Sequence, residues 1–322
     1  MNIAIIGCGL IGTKRAKALG KHKLIVACDS LVERAKAICS ATHSGIALSD
    51  WKEAVRHPQV DLVIVATTNN WLTPISLGAL EYDKHVLVEK PGARSLAEIS
   101  PLLDKTRISS KKIKAGFNLR YHPALMKARE IIDSGVMGEL MFIRGRYGHG
   151  GRIGYDKEWR ANPEISGGGE LIDQGVHMID LCRWFLGDFV SVKGELATYF
   201  WDMPVDDNAF LSLSTSKNQK AWIHVSCTEW KNMFSLEVYG KIGKIQIDGL
   251  GGSYGVERLS YFQMSPEMGL PQTTIWDYPG EDQSWTLELE DFVKSIESGK
   301  LIGGNINDAY EALKIVDKIY HQ

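Results

Sequence analysis

Three groups of residues in this chain have types and spacings suited to chemistry. The first is Gly7-x-Gly9-x-x-Gly12, which directly follows the apolar run 3–6 and precedes an Ala- and Lys-containing stretch. Strand, tight turn and helix in that order give the glycines a physical use. Gly7 permits the turn, Gly9 lets backbone approach a pyrophosphate, and Gly12 lets the helix pack closely on the strand. The amide-rich helix start, with Leu10 and Ile11, then faces the anion. Asp29 closes the next apolar run, 24–28. A carboxylate there takes both hydroxyls of an adenosine ribose and repels a 2′-phosphate, so NAD is expected and NADP is less favoured. Ser30-x-x-Glu33 has the form of a capping box that would leave Asp29 available; the alternative is that Asp29 is itself a turn or cap residue. Arg34 lies close enough to keep some NADP use open.

The second group is Glu89-Lys90-Pro91, at the end of the apolar run 85–88. Pro91 cannot continue a ladder. Two readings fit: an exposed ion pair at a strand end, worth little, or Lys90 placed beside nicotinamide and substrate. The third group is Asp173, His177 and Asp180, after the glycine run 167–169. Helical positions three and four apart share a face, while Ile172, Val176, Ile179 and Leu186 supply the packing side. A flanking carboxylate can hold a histidine in one tautomer and stabilise its charged form, as a base near pH 7 requires. Asp173 and His177 could also be two metal ligands, but no third stands at a sensible spacing, so no metal is expected.

Two loops adjoin these groups. Thr67-Thr68-Asn69-Asn70-Trp71 ends the run 60–66 at the strand edge where ligand-lining loops sit. Trp71 either stacks on the cofactor or covers the helix that begins near Leu72. The segment from Tyr147 to Arg160 is rich in Gly, Arg and aromatic residues. Its His149, Arg152, Tyr155, Trp159 and Arg160 are candidates for substrate recognition, with an ordinary solvated loop as the alternative. An arginine there would suit a carboxylate or phosphate.

The elements that must position these groups follow from hydrophobic period. Four near-continuous apolar runs (3–6, 24–28, 60–66, 85–88) alternate with helical stretches, the mark of a doubly wound parallel sheet in an α/β fold. Asp50-x-x-Glu53 and Ser95-x-x-Glu98 are further capping boxes. A first domain over 1–121 is expected, ending in the strand and hinge at 114–123. A second, over 122–322, opens on a helix over 123–134 with Pro123 at its first position. A strand at 140–150, a helix reaching about Phe185 and stopped by Gly187, and alternating runs 209–216, 221–228 and 234–239 predict a broad antiparallel sheet backed by helices. Trp222, Trp230, Phe262 and Trp276 suggest that its other face is covered by another subunit, in a homodimer or homotetramer. Amphipathic helices over 285–298 and 307–320 complete the chain, the last packing back toward the first domain.

Composition narrows the partners. The 322 residues are 44% hydrophobic and 24% charged, with a formal charge of −2, which gives no basic footprint for nucleic acid. No stretch nears the ~20 apolar residues of a membrane span, and the N-terminal apolar run reads as a strand rather than a signal peptide. Five scattered cysteines (Cys8, Cys28, Cys39, Cys182, Cys227) without a CxxC pair fit reduced thiols and a cytoplasmic location.

Gly7-Cys-Gly-Leu-Ile-Gly12, Glu89-Lys90-Pro91 and Gly167-Gly-Gly-Glu-Leu-Ile-Asp173-Gln-Gly-Val-His177-Met-Ile-Asp180, in that order and spacing, resemble the Gfo/Idh/MocA oxidoreductase family. The likeness runs to the final helix. It implies a Rossmann domain, then an α/β domain with a large, mostly antiparallel sheet, a tightly held nicotinamide cofactor, and a sugar, cyclitol or nucleotide-sugar substrate. By the same resemblance a ring hydroxyl is oxidised, with His177 as general base and Lys90 on the same oxygen. Asp173 would fix substrate or imidazole, and Glu89 would position the nicotinamide ribose or a neighbouring loop. Asn118 matches a position near the cofactor. Arg120 matches one near the domain junction, where it is either a substrate contact or an interdomain ion-pair partner. Thr68 stands where the family has Pro, and Leu72 where it has His. The Arg-rich loop leans the substrate toward a nucleotide sugar. The rival functions are an NAD-dependent glycosidase with a transient redox cycle and a non-enzymatic cofactor-sensing regulator. The joint presence of Lys90, Asp173 and His177 speaks against the regulator.

Overall fold

The computed structural model describes residues 1–267, 269–300 and 303–322. The chain divides into two compact units. The first comprises Met1–Asn118, Glu164–Gly167 and Trp285–Leu313; the second comprises Leu119–Pro163, Gly168–Ser284 and Lys314–Gln322.

In the first unit, β1 (Asn2–Ile6), β2 (Lys23–Cys28), β3 (Ile46–Leu48), β4 (Leu62–Val65), β5 (His85–Glu89) and β6 (Ile113–Gly116) form a sheet in the order β3-β2-β1-β4-β5-β6. Every pairing is parallel. The helices between them are α1 (Leu10–Lys17), α2 (Val32–Thr42), α3 (Trp51–Arg56), α4 (Asn69–Glu81) and α5 (Leu96–Ile108). Ile6 pairs with Cys28 on one side and Val65 on the other, so three strands end level. That register brings Gly7, Asp29 and Thr67 to one edge. Strand β3 was not expected, because it is three residues long and only partly buried. Asp50 caps α3 through Lys52 N–H at 2.8 Å, and Ser95 caps α5 through Glu98 N–H at 3.4 Å, as their spacings predict. The Ser30 box is a correction. Helix α2 starts at Val32 with no side-chain cap, and Asp29 Oδ1 instead accepts from Leu31 N–H at 2.9 Å. Asp29 closes its own turn, because an Asp side chain reaches the amide two residues on.

Glu89 requires a second correction. Rather than lying exposed at the strand end, it is buried against Arg15 of α1, with Oε1 2.6 Å from Nε. Arg15 also places Nη1 2.7 Å from Glu288 Oε2, and Lys114 Nζ lies 3.8 Å from Glu288 Oε1. Glu288 belongs to α9 (Ser284–Ser298). Gly116 leaves the space these groups fill: a Cβ there would stand 2.8 Å from Glu89 Oε2 and 3.0 Å from Arg15 Nη2. Burial opposes the charge on Arg15, but Glu89 and Glu288 outweigh it and hold the guanidinium protonated. Removing one member of such a cluster strands the others without compensation. Arg15→Met should therefore destabilise the protein by about 3–5 kcal/mol, read by denaturant unfolding. A loss below about 1 kcal/mol would put the cluster on a par with a surface pair.

The second unit is built on an eight-stranded sheet, ordered β14-β13-β12-β11-β7-β10-β9-β8. Its strands are β7 (Leu140–Gly148), β8 (Phe189–Ala197), β9 (Asn208–Thr215), β10 (Lys220–Ser226), β11 (Met233–Gly240), β12 (Gly243–Asp248), β13 (Glu257–Gln263) and β14 (Gln272–Tyr278). All neighbours are antiparallel except β7 and β10. Buried residues alternate along β10 and β11, which is how a sheet lays one face on its core. The helices are α6 (Pro123–Asp133), α8 (Val176–Leu186) and the end of α10 (Ile306–Tyr320), while all of the short α7 (Pro163–Ser166) but its first residue belongs to the first unit. The expected single helix to Phe185 is instead two pieces: Leu171–Gly175 forms a π-helical turn before α8, which ends at Gly187. Asp206 anchors that turn, accepting Leu171 N–H at 2.8 Å, Gly169 N–H at 3.0 Å and the Tyr320 hydroxyl at 2.8 Å. Trp222 and Trp230 are exposed within this chain. Among the described residues, no helix is long and apolar enough to cross a membrane.

Candidate functional site

The candidate residues fall into two constellations, one in each unit. In the first unit the glycine turn is fitted to itself and open outward. Gly7 has φ 92°, and a Cβ on Gly12 would stand 1.9 Å from Gly7 O, so the backbone itself demands both residues. At Gly9 an added Cβ would meet nothing within 4 Å. That open space lies at the cap of α1, whose first amides receive no side-chain cap. Asp29 Oδ2 accepts Cys8 N–H at 2.8 Å, so the carboxylate is fixed beside the turn, and an ionised carboxylate keeps further lone pairs for hydroxyl donors. These residues fit a dinucleotide, with Leu10 and Ile11 at the pyrophosphate end. Ser30 and Arg34 are exposed close by.

The loop after β4 departs from expectation. Helix α4 begins at Asn69 rather than near Leu72, and Trp71 lies exposed in its first turn. Asn69 is buried and donates to Ser166 O at 2.8 Å, while Thr68 Oγ1 donates to Asn70 Oδ1 at 2.7 Å. Thr67 is half-buried at the strand edge, and Asn118 is buried after β6. Lys90 follows β5 half-buried, and its peptide bond to Pro91 is cis.

In the second unit, His177 is buried in the first turn of α8, with the Tyr147 ring edge-on at 6.1 Å. Each carboxylate flanking it in sequence binds an arginine. Asp173, on the π-turn, accepts from Arg160 Nε at 3.0 Å. Asp180 accepts from Arg120 Nε at 2.7 Å and Nη2 at 2.6 Å, a bidentate pair. Arg120 and Asp180 both belong to the second unit. Tyr155 is buried, and its hydroxyl donates to Glu170 Oε1 at 2.9 Å. Arg152 is exposed on Glu158 at 2.7 Å. Arg160 stacks on Trp159, its guanidinium carbon 4.5 Å from the ring centre. Glu170 was missed by sequence reasoning, although a lone acid between Gly169 and Leu171 in an apolar stretch was its signal. It gathers Tyr155 and His149, whose Nε2 lies 3.5 Å away. His149 Nδ1 accepts Gly151 N–H at 3.0 Å, so the neutral ring carries its proton on Nε2, toward Glu170.

Known proteins are similar to this chain in sequence and in fold. Residues 1–117 match a family model described as an oxidoreductase family with an NAD-binding Rossmann fold, and residues 125–246 match the GFO/IDH/MocA C-terminal domain. The chain belongs to the Gfo/Idh/MocA oxidoreductase family. Among its relatives, levoglucosan dehydrogenase of Pseudarthrobacter phenanthrenivorans is 27% identical over 370 residues, covering 99% of this chain and 95% of that protein. D-glucoside 3-dehydrogenase of Escherichia coli is 27% identical over 249 residues, or 70% of each. The solved structure of levoglucosan dehydrogenase with NADH superposes with a TM-score of 0.90 at 22% identity, covering 100% of this chain and 96% of that one, and so shares its fold.

In this Gfo/Idh/MocA chain, burial opposes protonation of His149, but the hydrogen bond and charge of Glu170 outweigh it and raise its pKa. A raised folded value stabilises the protein fully below the unfolded pKa of about 6.5, and that contribution is lost as pH rises through the folded value. NMR titration of His149 should give a midpoint above 6.5, falling in Glu170→Gln. A midpoint that does not respond to Glu170→Gln would refute the coupling.

Proposed function

We propose that this chain oxidises a ring hydroxyl of an uncharged sugar to a ketone, and can run the reverse, with NAD as its cofactor. The observation that carries the reading is the π-turn and first turn of α8, which bear Asp173 and His177 in a chain that also holds the open cradle at Gly9. His177 accepts the hydroxyl proton as general base. Lys90 donates a hydrogen bond to the same oxygen and stabilises charge as it develops. Asp173, steadied by Arg160, orients the substrate hydroxyls. Nicotinamide, when bound, supplies the two-electron acceptor. Asp29 favours NAD over NADP.

An uncharged sugar is preferred to a nucleotide sugar because the loop arginines that would receive phosphate, Arg152 and Arg160, are each paired with a carboxylate. The related levoglucosan and D-glucoside dehydrogenases are named for uncharged sugars as well. Five free cysteines suit a reducing cytoplasm. The exposed apolar residues Phe210, Trp222 and Ile275 on the open sheet face support a homodimer or homotetramer, which light scattering reads directly.

The test is native mass spectrometry of the purified protein, then absorbance at 340 nm with NAD and a panel of free sugars, glycosides, inositols and nucleotide sugars. Reduction of NAD by an uncharged sugar is expected. Response to nucleotide sugars alone would overturn the substrate class, and sugar release without net NADH would mark a glycosidase. Lys90→Ala and His177→Ala should each lower kcat at least ~100-fold while NADH affinity stays close to wild type. Near-normal turnover in either variant would remove the role assigned to that residue.

A further inference from the structure

We infer that the rings of Phe200, Trp201 and Trp230 form a second saccharide subsite, holding a sugar ring linked to the one that is oxidised. This rests on the proposed sugar oxidation for the identity of the first ring. The supporting geometry lies entirely in the second unit. Aromatic rings run in contact from the polar cluster to the surface: His149 to Tyr155 at 5.4 Å, Tyr155 to Trp201 at 5.6 Å, Trp201 to Phe200 at 5.0 Å, and Phe200 to Trp230 at 4.9 Å. Exposure rises along that path, from 3% at Tyr155 to 53% at Phe200 and 75% at Trp230.

These exposed rings are held in place by dedicated contacts. Asp207 accepts the backbone N–H groups of Tyr199 at 2.9 Å, Phe200 at 2.7 Å and Trp201 at 3.1 Å, which fixes the loop that carries them. The Trp201 indole N–H donates to Cys227 O at 3.0 Å. Trp230 has φ 61°, a left-handed conformation that is costly for a bulky residue and recurs where a side chain must be presented to a ligand. Its loop is tied to His149 on both sides: His149 N–H donates to Ser226 O at 2.9 Å, and Glu229 N–H to His149 O at 3.1 Å. Gly150 and Gly151 admit the platform, since a Cβ on them would stand 2.8 Å from the Trp230 carbonyl carbon and 2.4 Å from the Trp201 ring.

A pyranose matches such a surface. Its C–H face carries slight positive charge that meets the negative face of an aromatic ring, while its hydroxyls stay at the rim. An anionic tail does not match, because the carboxylates of Glu170 and Asp207 adjoin Tyr155 and Trp201. The rings continue directly into the polar cluster, which favours an extension of the substrate over a separate partner.

The test is calorimetric binding of glucose, cellobiose and maltose to the NADH-loaded full chain, in which bound sugar does not turn over. At least one disaccharide should bind about tenfold more tightly than glucose. Trp230→Asn, which keeps the left-handed backbone, and Phe200→Leu should each reduce that advantage. No difference between disaccharides and glucose, or an advantage that survives both substitutions, overturns the subsite. So does light scattering in which either substitution breaks a larger assembly into a smaller one, because the rings would then cover a second copy of the chain. If no sugar reduces NAD while the disaccharide advantage holds and depends on Trp230, the subsite stands and the proposed oxidation falls.

Discussion

A guanidinium sealed away from water sets the terms for the first unit. Arg15 lies three residues beyond Gly12, on the helix whose start frames the cofactor cradle, and its main partner is Glu89, the residue before Lys90. One ion pair therefore fixes both the rotation of α1 and the end of β5. Burying a charge is costly unless it is paired and hydrogen-bonded, and here two cations and two carboxylates cluster together, with Arg15 and Glu89 in the space that Gly116 leaves. Lysine could not replace Arg15, because only a planar fork reaches Glu89 and Glu288 together. With Glu89 drawn inward, Lys90 is the member of the Glu-Lys-Pro triplet left nearer solvent.

The second unit follows the same rule at its polar cluster. Asp173 has Arg160, Asp180 has Arg120, and Glu170 has Tyr155 and His149. Groups committed in this way do not reorganise when charge develops on a substrate, which is the condition for electrostatic help to be effective. The π-turn adds to this order. It widens the helix where Asp173 sits, and the backbone is anchored there by Asp206, so a non-regular element is held without strain on its amides.

What the sequence reveals and what it hides divide along range of interaction. The glycine turn, the buried parallel strands, Pro123 at a helix start and the caps at Asp50 and Ser95 are set by neighbours, and they are legible. Ser30 misled because the Asp29 side chain holds the Leu31 amide in a turn, and the helix starts only at Val32, so Ser30 lies before the cap. Glu89 misled because its partner is 74 residues distant, a contact no spacing rule encodes. The π-turn was invisible because a single extra residue in a helix leaves the apolar period nearly unchanged. Glu170 was legible only as an oddity, and its meaning depends on Tyr155 and His149 folding over it.

The substrate class turns on the same distinction. In a sequence an arginine counts as a positive charge; in a fold it counts as that charge minus its partner. Arg152 and Arg160 suggested phosphate while their partners were unknown. Bound to Glu158 and Asp173, they present dipoles rather than net charge, and a diphosphate would have to break an ion pair to be recognised. A polyol asks for less. Its hydroxyls can donate to the carboxylates and accept from the guanidiniums without separating them, and they carry no charge to desolvate. The pairing that stabilises the cluster therefore supports the proposed uncharged sugar: it suits hydroxyl groups and penalises anions.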